Sequence, residues 1–175
     1  MKVALLDRDG TLIFDPPDYR VKTLHDLHFF EDTTAAMKYL NDNGFEIILI
    51  TNQAGIGEGV ITEEQFWSIH NAMLARLKQR GVRVLDTFMC SATQDSDDPW
   101  RKPNPGMLLA AAEKYGFDLG KTFMVGDRLS DVMAGKNAGC RPILVDTGWE
   151  IVKTDQAEYV APTLTDAAEY IVTNS

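Results

Sequence analysis

Lys2-Val3-Ala4-Leu5-Leu6-Asp7-Arg8-Asp9-Gly10-Thr11 is the stretch on which the reading of the fold turns. A short apolar run stops at a carboxylate, the pattern of a strand buried inside a sheet that ends where polar groups are wanted. Phe45-Glu46-Ile47-Ile48-Leu49-Ile50-Thr51 repeats it with more β-branched residues and ends at polar Asn52. Between the two, residues 33–43 carry Ala36, Met37 and Leu40 at helical spacing, and Gly44 stops the helix.

The alternation continues to the end of the chain. Thr62-Glu63-Glu64-Gln65 fits a capping box, and the helix it opens has Phe66, Ile69, Met73, Leu74 and Leu77 on one face before Gly81. A strand follows at 86–92, then a helix from Pro105 to Gly116 with proline in its tolerated first turn. Residues 122–125 read as a strand, 129–138 as a helix closed by Gly139, and 142–145 as a strand. Tyr159-Val160 forms an edge strand, and 165–172 the last helix. Strands alternating with helices at this spacing predict an α/β fold: a doubly wound parallel sheet with right-handed crossovers. About 40 residues separate Gly10 from Thr51, and a loop, a helix and a strand use them up. The region from Thr51 to Lys102 is likewise occupied. The expectation is one domain over 1–175 with no separate cap, its specificity set by loops at 12–20, 53–60 and 92–101.

Composition narrows the class of partner. The chain has 175 residues, 45 % hydrophobic and 25 % charged, enough for one ordinary core. No apolar run approaches the roughly 20 residues that span a bilayer, and the segment before Asp7 is too short for a secretory signal. Two cysteines, Cys90 and Cys140, support no disulfide framework and are expected as buried thiols in a reducing cytoplasm. A net charge of −9 without a basic run argues against nucleic acid and for a small metabolite. Nothing marks an oligomeric interface, so a monomer is expected.

In doubly wound sheets, ligands bind beyond the carboxyl ends of the strands at the switch in strand order. Asp7, Arg8, Asp9, Gly10 and Thr11 follow the first strand, Thr51, Asn52 and Gln53 the second, and Gly126-Asp127 the fourth, with Asp131 one turn on. Arg101-Lys102 sits in the loop beyond the third. Asp7, Asp9 and Asp127 crowd negative charge that raises carboxylate pKa values unless a cation sits among them. An all-oxygen ligand set of this kind suits Mg²⁺. Such an ion cancels the repulsion between a carboxylate nucleophile and a phosphate. Asp7 can then accept the phosphoryl group, splitting one displacement into two. Asp9 can protonate the leaving alkoxide, Thr51 can hold phosphoryl oxygens, and Lys102 can neutralise developing charge.

These four segments resemble the ordered motifs of the haloacid dehalogenase (HAD) superfamily. The resemblance implies a nucleophile at Asp7, acid/base at Asp9, and phosphate binding at Thr51 and Lys102. It also implies Mg²⁺ ligation by Asp7, the Asp9 carbonyl and Asp127, with Asp131 an outer-shell carboxylate or a ligand through water. The wording D-R-D-G-T, T-N-Q-x-G-I, R-K-P-x-P-G-M and V-G-D, from about Lys2 to Gly148, is similar to the histidinol-phosphatase and D,D-heptose 1,7-bisphosphate phosphatase group. That similarity puts Asn52, Gln53 and Arg101 near substrate. Many members of the group hold zinc in the loop before R-K-P; here, of those ligands, residues 90–100 keep Cys90 alone, so no zinc is expected.

The implied activity is a Mg²⁺-dependent phosphomonoesterase acting through an aspartyl-phosphate on a small phosphorylated sugar or on histidinol phosphate. A polynucleotide 3′-phosphatase and a non-catalytic phospho-ligand binding protein are the alternatives; the intact Asp7, Asp9, Lys102 and Asp127 argue against a mere binder. A dehalogenase has no need of Asp9 and a metal cage. Gly55, Gly57 and Gly59 lack nucleotide-fingerprint spacing and read as a flexible loop. His25, His28 and His70 lack metal-like partners, residues 95–98 read as a solvated acidic loop, and Trp100 either walls the pocket or packs elsewhere. Asp15-Pro16-Pro17-Asp18-Tyr19-Arg20 reads as a stiff loop at the rim of the site.

Overall fold

A computed structural model describes residues 1–17, 20–147 and 154–175. Asp18 and Tyr19 of the rim loop and Gly148, where the family likeness ends, lie outside the described residues. The strands are β1 (Lys2–Leu6), β2 (Phe45–Asn52), β3 (Asp86–Cys90), β4 (Phe123–Gly126), β5 (Arg141–Val145) and β6 (Tyr159–Ala161). They form one parallel sheet in the order β3-β2-β1-β4-β5-β6. The order reverses between β1 and β4, and Leu6 at the end of β1 pairs with Leu49 and Val125 on its two sides.

The helices are α1 (Thr33–Asp42), α2 (Ala54–Gly57), α3 (Glu63–Gln79), α4 (Gly106–Tyr115), α5 (Leu129–Ala138) and α6 (Leu164–Thr173). Each central strand feeds both faces of the sheet, as a period of two requires. Ala4, Leu6, Ile47 and Leu49 join the core under α1, α3 and α6, whereas Val3, Leu5, Ile48 and Ile50 join the one under α4 and α5. Helix α3 starts with the capping box: Thr62 Oγ1 accepts from the Gln65 amide and the Gln65 side chain accepts from the Thr62 amide. Among the described residues, only α1 separates β1 from β2, and only α2 and α3 separate β2 from β3. No described helix is long and apolar enough to cross a membrane.

Two expectations need correction. Residues 54–57 are not loose loop but the short helix α2, with the Glu58 amide bonded to Ala54 O at 2.9 Å. Lacking side chains that would show a periodic face, the glycines hid it. The third strand stops at Cys90: the Gln53 amide bond to Cys90 O is the last rung of its ladder with β2, which gives way to α2 at Ala54 and leaves residues 91 and 92 no strand to pair with. Cys90 and Cys140 are buried free thiols, and Trp100 packs towards Phe88 instead of lining the site.

Candidate active site

The end of β1 sets Asp7 at the switch point, its amide donating to Val125 O at 2.8 Å. Next door, β4 delivers Asp127, and the first turn of α5 delivers Asp131. Carboxylate oxygens of Asp7, Asp127 and Asp131 lie within 4.8 Å of one another. Two glycines make room for this. A Cβ on Gly10, at φ +82°, would stand 2.3 Å from Asp127 Oδ2, and one on Gly126 would stand 2.3 Å from the Asp131 side chain. Thr11 Oγ1 donates to Asp127 Oδ1 at 2.9 Å and fixes that carboxylate.

Lys102 enters the same cluster from the loop after β3. Its Nζ donates to Asp7 Oδ1 at 2.6 Å and to Ile50 O at 2.8 Å, and stands 2.6 Å from Asp131 Oδ1. Burial alone would lower the pKa of the ammonium, but Asp131 and Asp7 outweigh burial and raise it. Burial, then Asp131, raises Asp7 well above the ordinary carboxylate range, Lys102 offsetting only part. The same two causes, burial first, push Asp127 up to about 7. One buried ammonium therefore leaves three crowded carboxylates short of positive charge. Hard oxygen donors around that deficit fit a divalent cation of the Mg²⁺ kind.

The Asp9 carboxylate is not part of this cluster. It turns to the other side, where Arg8 Nε and Nη2 grip its two oxygens at 2.9 and 2.7 Å. Gln53 Nε2 donates to Asp9 Oδ2 at 2.5 Å and to Thr51 Oγ1 at 2.8 Å, and Thr51 Oγ1 lies 3.5 Å from the same Asp9 oxygen. Asn52 is spent on support: it exchanges two hydrogen bonds of 3.1 Å with the Lys102 backbone. Arg101 lines the cleft while its Nη1 donates to Ala92 O. All the residues picked from the sequence thus converge on one cleft or on the side chains that shape it.

Four charged residues that the sequence did not single out for a role also belong here. Arg8 is 1 % exposed, and only its place between Asp7 and Asp9 could have drawn attention to it. Asp15, 6 % exposed, accepts from Arg128 Nη2 at 2.6 Å, and burial first, then Asp9, raises its pKa to about 6. Arg128 follows Asp127 directly past a strand end, a positional signal as good as that of Asp127 itself. Arg20, from the rim loop, lines the cleft and pairs with Glu58 beyond α2. A chain of net charge −9 thus gathers Arg20, Arg101, Lys102 and Arg128 around one cleft, where they offset Asp7, Asp9, Asp15 and Asp131.

A parallel sheet with a carboxylate cluster and a buried lysine at its switch point defines the class as HAD-like. Residues 99–167 match the HAD-hydrolase-like family model. The chain is 40 % identical, over 85 % of its length and 84 % of the relative's, to the D-glycero-α-D-manno-heptose-1,7-bisphosphate 7-phosphatase of Photorhabdus laumondii. It is 35 % identical to the histidine biosynthesis bifunctional protein HisB of Bacteroides fragilis over 94 % of its own length, but spans only 45 % of that protein. A crystal structure of D,D-heptose 1,7-bisphosphate phosphatase from B. bronchiseptica, complexed with magnesium and phosphate, superposes with a TM-score of 0.90 at 30 % identity over all of both chains. The chain belongs to the HAD superfamily, in the group of histidinol phosphatases and heptose bisphosphate phosphatases.

Proposed function

We propose that this protein is a Mg²⁺-dependent phosphatase of a small sugar phosphate, with the 7-phosphate of a heptose 1,7-bisphosphate as its leading substrate. The observation that carries the reading is the buried meeting of Lys102, Asp7 and Asp131 beside Asp127. The heptose substrate is favoured over histidinol phosphate by relatives matched along nearly their whole length, whereas the HisB match covers less than half of that protein.

Asp7, Asp127 and Asp131 would hold or border the cation, which when bound supplies positive charge for both the nucleophile and the incoming phosphate. Lys102 holds Asp7 by one oxygen and leaves the other to attack phosphorus. As the P–O bond to the sugar breaks, Asp9 gives its proton to the leaving oxygen. Asp9 then takes a proton from the water that attacks the aspartyl-phosphate, and the electron pair of the P–O bond returns to Asp7. Acid–base help of this type is worth about 10²–10⁴ in rate. Thr51 and Gln53 aim their donors at the Asp9 carboxylate, and Arg101, Arg128 and Arg20 offer charge to the rest of an anionic substrate.

In this reading the 175 residues act as one catalytic domain, a cytoplasmic monomer that needs no zinc. Cys90 alone offers one thiolate, and a structural zinc needs four ligands. Phosphate release from a panel of metabolites with Mg²⁺, wild type beside Asp7→Asn, tests the proposal. Heptose 1,7-bisphosphate standing about 10²-fold above the rest in kcat/KM, with no turnover in the variant, supports it. Preference for histidinol phosphate would move the substrate. A preference for 3′-phosphorylated oligonucleotides with steep salt dependence would move it to nucleic-acid ends. Full turnover in Asp7→Asn would remove the nucleophile.

A further inference from the structure

Arg8 is among the largest side chains fully buried in the molecule, and a buried guanidinium needs a reason. Its two bonds to Asp9 are side-on and bidentate, with Nε on Oδ2 and Nη2 on Oδ1. That geometry fixes the plane of a carboxylate, which a point charge would not do. The guanidinium carbon lies 4.8 Å from the Phe66 ring centroid, and Phe66 in turn stacks on His70 at 5.4 Å and 18°. His70 Nε2 meets Thr87 Oγ1 at 2.9 Å, closing the row against β3. The His70 ring is uncharged at neutral pH, since burial first, then Arg8, lowers its pKa to about 4. It therefore backs the stack without repelling the guanidinium. Helix α3, which lends no residue to the cleft itself, thus reaches the acid/base carboxylate through Phe66 and Arg8.

We propose that Arg8 is a positioning residue for Asp9: seated on Phe66, it sets the carboxylate plane from which the proton passes to the leaving oxygen. The inference rests on the acid/base role given to Asp9 under the proposed function. Arg8 itself transfers nothing. In the step that it serves, the P–O bond to the leaving group breaks while the Asp9 O–H proton goes to that oxygen.

The dependence on leaving group separates this role from a merely structural one. An alkyl alkoxide needs the proton; p-nitrophenolate leaves without it. The quantity to compare is kcat/KM, which stops at phosphoryl transfer to Asp7 and so excludes the water step common to both esters. With Mg²⁺ present, Arg8→Met is expected to lower kcat/KM for the best alkyl phosphate of the panel by about 10²-fold. For p-nitrophenyl phosphate the fall should stay within about threefold. Arg8→Lys keeps the charge but not the fork and should share most of the selective loss. Phe66→Leu, which keeps Arg8 and needs no buried charge removed, should show the same selectivity at about fivefold. Asp9→Asn is the reference, with the largest selective loss. Equal losses on both esters in the Arg8 and Phe66 variants, beside a selective loss in Asp9→Asn, would overturn the positioning role alone. Full rescue by Arg8→Lys would also overturn it, leaving only a charge effect. An unselective Asp9→Asn would bring down the acid assignment and this inference with it.

Discussion

Asp131 Oδ1 lies 2.6 Å from Lys102 Nζ, in a pair whose side chains are only 1 % and 3 % exposed. The sequence could suggest Asp131 as a ligand near the metal; the structure also makes it the counter-charge that seats the lysine against Asp7. Its other oxygen accepts from the Arg128 amide at 3.0 Å, so one carboxylate holds the start of α5 and the ammonium together. Asp7, Lys102 and the first turn of α5 are therefore one electrostatic unit.

Lys102→Met tests that unit. Removing one partner from a buried ion pair costs about 3–5 kcal/mol, because the carboxylates left behind stay buried without a partner. Urea unfolding should show a loss of that order, and phosphate release should fall by at least about 10²-fold from the missing charge. A variant as stable as wild type would show that Asp7 and Asp131 do not depend on the ammonium.

Mg²⁺ should stabilise the protein as well as activate it. A ligand at 100 times its Kd adds about 2.7 kcal/mol by mass action, and the cluster of Asp7, Asp127 and Asp131 is the expected place. A thermal melt should rise with Mg²⁺ and fall back in EDTA, with turnover following it. In Asp127→Asn the rise should shrink to a small fraction. An equal rise in that variant would put the ion elsewhere.

Gly10→Ala should act on the same cluster from the backbone. The positive φ costs an L-residue about 1–2 kcal/mol, and the new Cβ, 2.3 Å from Asp127 Oδ2, must push that carboxylate aside. Both the Mg²⁺-dependent thermal shift and kcat/KM should drop, the latter by about 10²-fold. Unchanged Mg²⁺ response would show that Asp127 moves without consequence.

Much of this site was legible because strands run into their polar ends. Asp7, Thr51 and Asp127 each follow or close an apolar run, so their convergence is a consequence of parallel topology. Arg8 and Asp15 were not legible. An arginine next to two aspartates reads as surface charge, and only the packed Phe66 ring, 58 residues on, shows where its guanidinium goes. Asp15 sits in a loop without periodicity, and its partner Arg128 is 113 residues away. Asn52 lines the cleft while its amide exchanges hydrogen bonds with the Lys102 backbone, a pairing that depends on where the loop after β3 returns. Periodicity reports which residues leave a strand end; it carries no information on which side chains then meet.

His70 gives the pH dependence. Its ring is 1 % exposed, Nδ1 has no hydrogen-bond partner among the described residues, and burial first, then Arg8, brings its pKa from 6.5 to about 4. The folded state thus binds fewer protons than the unfolded state between those two values. Linkage fixes the sign: stability from this group is complete above about pH 6.5 and is lost as pH falls towards 4. At about 1.4 kcal/mol per pKa unit, the full loss is about 3 kcal/mol. Asp15, raised to about 6, titrates in the same range, so the informative quantity is the difference between wild type and His70→Gln. Glutamine can keep a bond to Thr87 and cannot charge. Urea unfolding at pH 7, 5.5 and 4.5 should show wild type losing more stability than the variant at each step down. Parallel curves would mean that His70 protonates in place, and that the stack beneath Arg8 tolerates a second cation.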